Sequence, residues 1–425
     1  MSGVTGASRG ESVVDLGVSS ALRAVFLACS WTWCIGMFLP VLLIRDFGWP
    51  GWVAFAVPNV VGAMSVGFVL RSRGSAALSA HRHAPAMRLF SVVTVLFHVA
   101  FLSWILTLAF PFLAVTVGEI VVGGVTIVPA SMGDGVASVA IVAALFLAAL
   151  LLSSMRTGGW MLAALAVYAM SVTLAALAWR TTGGAVFSAA PIAGDEPFPA
   201  IVGAGAVLAL GFLCCPHLDL TILRTRHELA GAAGTRAFVA GFGALFLSMI
   251  ALTLAYAPGF LVGATSPFLL AHIGAQSVFT MSAHLRELRT GSIERDRGRG
   301  FPPLLAATLL LAVVCLGAAW LAYSGNGQTM YELFASPYAL VFPAYVWIVM
   351  VPHRGLTGGA DWAATRGTRL AVFAVSVVVA SPFLWVGAVG VPKRWVIAGV
   401  GALVVAVAPV GLGLHRARDR RAKEA

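Results

Sequence analysis

Long apolar runs alternate with short polar, arginine-rich segments along most of the chain. A helix needs about 20 apolar residues to cross the hydrocarbon core of a bilayer, because each residue adds about 1.5 Å of length. A window of that length predicts twelve membrane-spanning helices. Their predicted bounds are 20–44, 50–71, 87–112, 135–155, 159–180, 198–223, 236–257, 260–286, 302–324, 329–351, 369–389 and 394–414. We therefore expect an all-α polytopic membrane protein.

Composition supports this fold class and leaves little room for any other domain. Of the 425 residues, 60% are hydrophobic and 10% are charged, whereas roughly a quarter are charged in a soluble domain. We expect one transmembrane domain at 20–414 between an N-terminal tail at 1–19 and a basic tail at 415–425. The five cysteines fall within apolar segments, so we expect small buried side chains and no disulfide framework or zinc site.

The formal charge of +11 follows the connections between the predicted spans. Of the 27 Lys and Arg residues, 23 fall on one side if the spans alternate in direction. The other side has only Arg45, Arg180, Lys393 and Arg394. Positive residues concentrate in cytoplasmic connections, so we expect cytoplasmic termini and a bacterial inner-membrane location. Anionic lipid is the expected secondary partner of these arginines, and we expect no nucleic acid. The sequence identifies no protein partner.

Two of the predicted spans contain a glycine four or five residues before a proline. Gly36 precedes Pro40 in the first span, and Gly211 precedes Pro216 in the sixth. Proline lacks an amide donor and glycine lowers the cost of leaving helical geometry. We expect breaks at 35–40 and 211–216, although a plain kink is the alternative at each.

The positions of these two spans indicate an internal repeat. The first span begins a group of five at 20–180, and the sixth begins another at 198–351, leaving two extra helices at 369–414. An odd number of spans gives the two groups opposite orientations. Inverted repeats with discontinuous helices at corresponding places are typical of secondary transporters. We expect the two breaks to face each other across one central site.

Three stretches resemble the sodium:solute symporters, within the larger APC superfamily of LeuT-fold transporters. They are residues 211–218 followed by Arg224, residues 31–40, and residues 48–52 continuing through Asn59, Gly62 and Ala63. They cover under a fifth of the chain. The resemblance implies a LeuT-like 5+5 inverted repeat, in which the first and sixth helices are discontinuous and bind solute.

The resemblance also implies a sodium site on the eighth span. In that family, carbonyls of the first-helix break face paired hydroxyls, roughly fifteen residues before the acidic end of the eighth helix. Counting back from Glu287 reaches His272, where no hydroxyl pair is present. His272 is expected near mid-membrane, either exchanging a proton or buried as a neutral structural imidazole. Ser277 and Thr280, three residues apart on one helix face, are the rival ion contacts. The expected coupling ion is Na+ or H+, and no other cofactor is predicted.

Seven residues at the two breaks are candidates for binding solute. Aromatic side chains there are suited to stacking on an organic molecule, and the amides after Pro216 are a candidate cradle for a carboxylate. Ordinary helix packing is the alternative for the aromatic rings, and pairing with an arginine is the alternative for Asp219. The candidates are Trp33, Gly36, Phe38, Phe212, Cys215, His217 and Asp219.

The sequence contains no phosphate-binding loop and no zinc-protease motif, so we predict no enzyme. We predict a secondary active transporter that moves a small organic solute by alternating access. The alternative is a membrane sensor or subunit that retains the transporter fold without transport.

Overall fold

The computed structural model describes residues 13–112, 120–122, 125–128, 130–264, 266–290, 317, 325–351, 366–389 and 393–424. Most of them are helical. The predicted ninth span, 302–324, lies outside the described residues except for position 317.

The described residues in the first half of the chain form seven helices. The first predicted span is divided between α1 and α2, and the others follow their predicted bounds to within five residues. The helices are α1 (Val13–Trp31), α2 (Cys34–Phe47), α3 (Trp49–Val69), α4 (Arg73–Arg82), α5 (Ala84–Phe112), α6 (Ala130–Ser153) and α7 (Thr157–Thr182).

In the second half, the sixth predicted span is also divided, and two spans contain π-helical turns. The elements are α8 (Phe198–Cys214), a 3-10 turn (Cys215–Leu218), α9 (Leu220–Glu228), α10 (Gly231–Ala240), a π turn (Gly241–Phe246), α11 (Leu247–Leu261) and α12 (Pro267–Thr290). There follow α13 (Gly327–Ser336), a π turn (Pro337–Val341), α14 (Phe342–Tyr345), a π turn (Val346–Met350), α15 (Arg366–Ala388) and α16 (Trp395–Glu424).

Within the described residues, seven helical stretches are long and apolar enough to cross a membrane. The pair α1 and α2 forms an eighth span, bent by 58° at its break. The protein is therefore an integral membrane protein, as the apolar pattern predicted.

Four elements differ from the predictions. Helix α4 was predicted as a loop, but a reciprocal capping box between Ser72 and Ser75 begins it. A short antiparallel hairpin, β1 (Ile120–Val122) with β2 (Val125–Val128), was not predicted. Helix α12 begins at Pro267 and not at 260, because α11 continues through Pro258 to Leu261. Helix α16 extends beyond 414 through the predicted tail.

Glycines allow several helices to pack with their backbones in contact. A Cβ atom on Gly62 of α3 would lie 1.9 Å from the Phe212 carbonyl oxygen on α8. A Cβ on Gly203 of α8 would lie 2.1 Å from the Trp395 carbonyl oxygen on α16. Helix α8 is therefore held closely between α3 and α16, which fixes the position of the break that follows it.

Candidate solute and ion site

The first span is interrupted at Thr32 and Trp33. Helix α1 ends at Trp31, Trp33 is extended with φ −83° and ψ 171°, and α2 begins at Cys34. The break was predicted at 35–40, and that position is wrong: Gly36 and Pro40 both lie within α2.

The break lies where neighbouring side chains satisfy the backbone groups that it frees. The Cys34 amide donates to His98 Nε2 at 3.2 Å. The Thr280 hydroxyl lies 3.3 Å from the Cys29 carbonyl oxygen and 3.5 Å from that of Thr32. The Trp33 indole donates to the Ser30 carbonyl at 2.7 Å. In a bilayer these groups have no water to bind, so such partners decide where a helix can open.

The sixth span is interrupted close to its predicted position. Helix α8 ends at Cys214, and the 3-10 turn contains Pro216. Asp219 is extended and caps α9, accepting a hydrogen bond from the Thr221 amide at 2.7 Å. Gly211, by contrast, lies within α8, where a Cβ atom would come 2.9 Å from the Tyr338 carbonyl oxygen. This glycine therefore permits close helix packing and does not open the helix.

A cavity of about 100 Å³ lies where the two breaks meet. Residues from both halves of the first span, from α3, from α8 and from the tenth span line it, and the last two helices close its side. Its aromatic lining consists of Trp31, Trp33, Phe212, Tyr331, Tyr338 and Trp395. The cavity is small beside the roughly 300–1,000 Å³ of typical ligand pockets.

Four of the seven predicted solute residues line this cavity: Trp33, Gly36, Phe212 and Cys215. The other three do not. Phe38 packs edge-on against Trp104 and Tyr331, and His217 Nε2 lies 3.3 Å from the Ser65 hydroxyl. Asp219 is fully buried beside His284. The unwound turn at 215–218 is the reason that Cys215 and Asp219 separate.

The predicted carboxylate cradle after Pro216 is already occupied. The side chain of Asp219 accepts from the first turn of α9, so an anionic solute there would meet a fixed carboxylate. Like charges repel in a low-dielectric interior. The positive end of α9 therefore serves its own cap, and the cradle stays a prediction.

Several residues of the cavity were not predicted to line it. Asn59 accepts a hydrogen bond from the Trp31 indole at 2.7 Å, and the Tyr338 hydroxyl lies 2.7 Å from Thr94 Oγ1. Glu332 and Lys393 form an ion pair of 3.0 Å at one end. The sequence carries little signal for them, because they come from spans without a break.

The three predicted ion contacts occupy different depths of α12. Thr280 lies near the middle of the helix and faces the carbonyls of α1. His272 is buried and lies about 10 Å from the middle of the helix, seven residues before Phe279, and its depth in the membrane stays a prediction. Ser277 is buried, and its hydroxyl makes no hydrogen bond within the described residues.

Ion pairs close the molecule at both ends of the cavity. At the arginine-rich end, Arg224 of α9 pairs with Glu287 of α12 at 2.5 Å, and Arg23 of α1 pairs with Glu228 of α9. At the opposite end, Lys393 pairs with both Glu332 and Asp46. Arg45 also pairs with Asp46 at 2.7 Å.

The connection between α7 and α8 covers the opposite end. The Glu196 amide donates to the Asp46 carbonyl at 3.0 Å, and the Trp49 amide donates to the Pro191 carbonyl at 2.9 Å. Gly48 adopts a φ of 65° there, and a Cβ atom on it would lie 2.7 Å from Pro191 O. This connection therefore lies across the ends of the first two spans.

Comparison with known proteins shows likeness at the level of structure. The chain is similar to a Na+-coupled sialic acid symporter in its substrate-bound outward-open state, with a TM-score of 0.50 and 14% identity over 95% of this chain and 92% of that chain. It is also similar to inward-facing Mhp1, with a TM-score of 0.48 and 16% identity over 94% and 91% of the two chains.

A closed conformation of Mhp1, a nucleobase-cation-symport-1 family transporter with bromovinylhydantoin bound, has a TM-score of 0.45 and 15% identity over 93% and 92%. No protein-family model and no curated protein matches the sequence. At these identities the likeness concerns the fold. The chain has the LeuT-like fold that the resemblance to the sodium:solute symporters implied.

Proposed function

We propose that the protein is a secondary active transporter that moves a small organic solute by alternating access, coupled to sodium or protons. One observation carries the proposal: two interrupted spans from opposite halves of the chain line the same cavity. Such breaks at corresponding positions of two repeats are typical of transporter binding sites. We place both termini in the cytoplasm, so that the arginine-rich end faces inward.

The small volume of the cavity and the two sets of ion pairs support an occluded conformation. The cytoplasmic pairs join α1 and α9 to each other and α9 to α12, whereas the outer pairs join α2 to α13 and to the last connection. Breaking one set of ion pairs while the other set stays formed would expose the cavity to one side of the membrane. This is the requirement for alternating access.

The lining favours a flat, partly apolar solute. Trp31 and Trp33 lie with ring centroids 4.4 Å apart, and Trp33 lies 5.4 Å from Tyr338. Aromatic faces bind planar rings by offset stacking or edge contacts. A ring carrying an apolar substituent therefore fits these walls better than a polyhydroxylated molecule does.

The coupling ion has a candidate position beside the first break. Three oxygen atoms converge there, from the Thr280 hydroxyl and from the Cys29 and Thr32 carbonyls. Carbonyls of an unwound helix commonly coordinate the driving cation in such folds. Ser277 and His272 remain predicted contacts, each testable by its own variant.

Uptake by purified protein in sealed liposomes tests the proposal. Bromovinylhydantoin serves as the flat, apolar probe and sialic acid as the polyhydroxylated acid. We expect accumulation of the flat probe when a sodium or proton gradient is imposed, and none without a gradient. Binding of either probe without uptake under any gradient would favour the sensor alternative, and accumulation of sialic acid alone would contradict the proposed solute class.

A further inference from the structure

Asp219 and His284 form a buried pair that the solute cavity does not use. Both side chains have no exposed surface, and Asp219 Oδ2 lies 3.9 Å from His284 Nε2. That distance is too long for a hydrogen bond. In the described part of the chain, neither atom has any other hydrogen-bond partner.

The remaining atoms of both side chains are fixed. Asp219 Oδ1 accepts from the Thr221 amide at 2.7 Å, and His284 Nδ1 lies 3.1 Å from the Ser91 hydroxyl. The two unsatisfied atoms therefore face each other with their other contacts already made. A buried carboxylate without a full set of partners is costly, so this pair requires a further ligand.

We propose that Asp219 and His284 form a proton-binding site that links α9 to α12. With a neutral imidazole and an ionised carboxylate, the pair carries one negative charge. Binding one proton makes the pair neutral overall and supplies the hydrogen for a bond between Oδ2 and Nε2. The role of this site in transport rests on the proposed function, whereas the existence of the site does not.

A proton fits this site better than a metal cation does. Hard cations take several oxygen ligands, whereas the gap here lies between one carboxylate oxygen and one ring nitrogen. The pair also joins the discontinuous sixth span to helices α12 and α5, since Ser91 lies on α5. Proton binding would therefore favour the closed approach of α9 to these two helices.

The site is connected to the solute cavity through one side chain. The ring of His284 lies 5.4 Å from that of Trp33 in an edge-on arrangement, and Trp33 lines the cavity. A protonated imidazole beside an indole ring changes the electrostatic environment of the ring. A change of charge on Asp219 and His284 therefore changes the electrostatic environment of Trp33, which lines the solute cavity.

Other titratable groups surround the pair. The nearest ion pair is Arg224 with Glu287, one helical turn further along α12. His98 is an unsuitable proton acceptor, because its Nε2 already accepts from Cys34 and its Nδ1 lies 2.7 Å from the Thr94 carbonyl. Glu287 on α12 interacts electrostatically with Asp219, His98 on α5 with His284, and Tyr338 on the π turn with Asp219. Arg224 on α9 pairs with Glu287, and Cys34 on α2 and Cys215 on the 3-10 turn interact with Tyr338.

The tryptophan fluorescence of the purified full-length protein, titrated with acid in sodium-free buffer, tests the proposal without any solute. We expect one transition, because protonation of the pair changes the emission of Trp33. Trp33→Phe should remove the signal. Asp219→Asn, which retains the capping oxygen of the side chain, and His284→Gln should each abolish the transition. His272→Gln should retain it.

An unchanged transition in both Asp219→Asn and His284→Gln, or no transition in the wild type, would overturn the assignment. So would an equal response to sodium at constant pH. Thermal unfolding and gel filtration establish whether each variant is folded. If His284→Gln does not fold, the titration of Asp219→Asn alone decides the test. A titration with the expected pattern in a protein that transports neither probe would preserve the proton site and reject transport.

Discussion

At the scale of single residues, the break in the first span depends on partners from distant parts of the chain. His98 satisfies the Cys34 amide, and Thr280 satisfies two carbonyls of α1. His98 is fully buried. Its role as acceptor for a freed amide depends on a contact across 64 positions that no local pattern indicates.

Thr280 provides the residue-scale test of the ion site. We expect Thr280→Ala to lose most of the sodium stimulation of uptake, because it removes one of three converging oxygens. Thr280→Ser keeps the hydroxyl and should retain the stimulation. The measurement is the initial uptake rate of bromovinylhydantoin across a series of sodium concentrations.

Two outcomes would contradict this placement. Equal stimulation in Thr280→Ala and the wild type would exclude the hydroxyl as a contact. If Ser277→Ala loses the sodium stimulation of uptake and Thr280→Ala retains it, the ion lies one helical turn away along α12. Each variant is compared at the same reconstituted amount, so that a folding defect is not read as loss of the ion.

At the scale of helices, close packing of α8 against α16 depends on Gly203. We expect Gly203→Ala to reduce stability by about 1–3 kcal/mol, the usual cost of overpacking, because its Cβ would meet the Trp395 carbonyl. Gly205 lies on the same helix with nothing within 4 Å of its Cβ position. Gly205→Ala is the matched control and should cause no loss, since alanine favours helix.

Thermal unfolding of both variants in the same detergent measures this difference. Equal unfolding midpoints for Gly203→Ala and Gly205→Ala would show that α8 and α16 can move apart without a loss of stability. The result would then contradict the close contact between α8 and α16 and, with it, the closed side of the cavity that these helices form.

At the scale of the whole molecule, the two sets of ion pairs should control access to the cavity from opposite sides. Cys215 lines the cavity and is buried, whereas the adjacent Cys214 is buried but does not line it. A protein with Cys215 as its single cysteine therefore reports access to the cavity. The protein with Cys214 as its single cysteine is the matched control.

We expect the double change Glu228→Gln and Glu287→Gln to increase labelling of Cys215 by a membrane-impermeant maleimide from the cytoplasmic side. Lys393→Gln should increase it from the other side, because it breaks pairs with Asp46 and Glu332. Labelling is measured in sealed vesicles of known orientation. Equal labelling from both sides, or an equal response of Cys214, would contradict alternating access.

The sequence by itself predicted the membrane fold, the order of most spans that the structure describes, and the break in the sixth span. These follow from local properties: apolar length sets a span, and proline removes an amide donor. Pro216 marked the second break closely, since that break lies in the turn that contains it.

Only the tertiary structure decided where the first span opens and which residues meet. Pro40 stays within a helix, whereas Thr32 and Trp33 leave it, because His98 and Thr280 are positioned to satisfy the freed groups there. The juxtapositions of Asp219 with His284 and of Glu332 with Lys393 also join residues far apart in sequence. In an environment without water, the cost of an unpaired polar group makes such distant partners decisive.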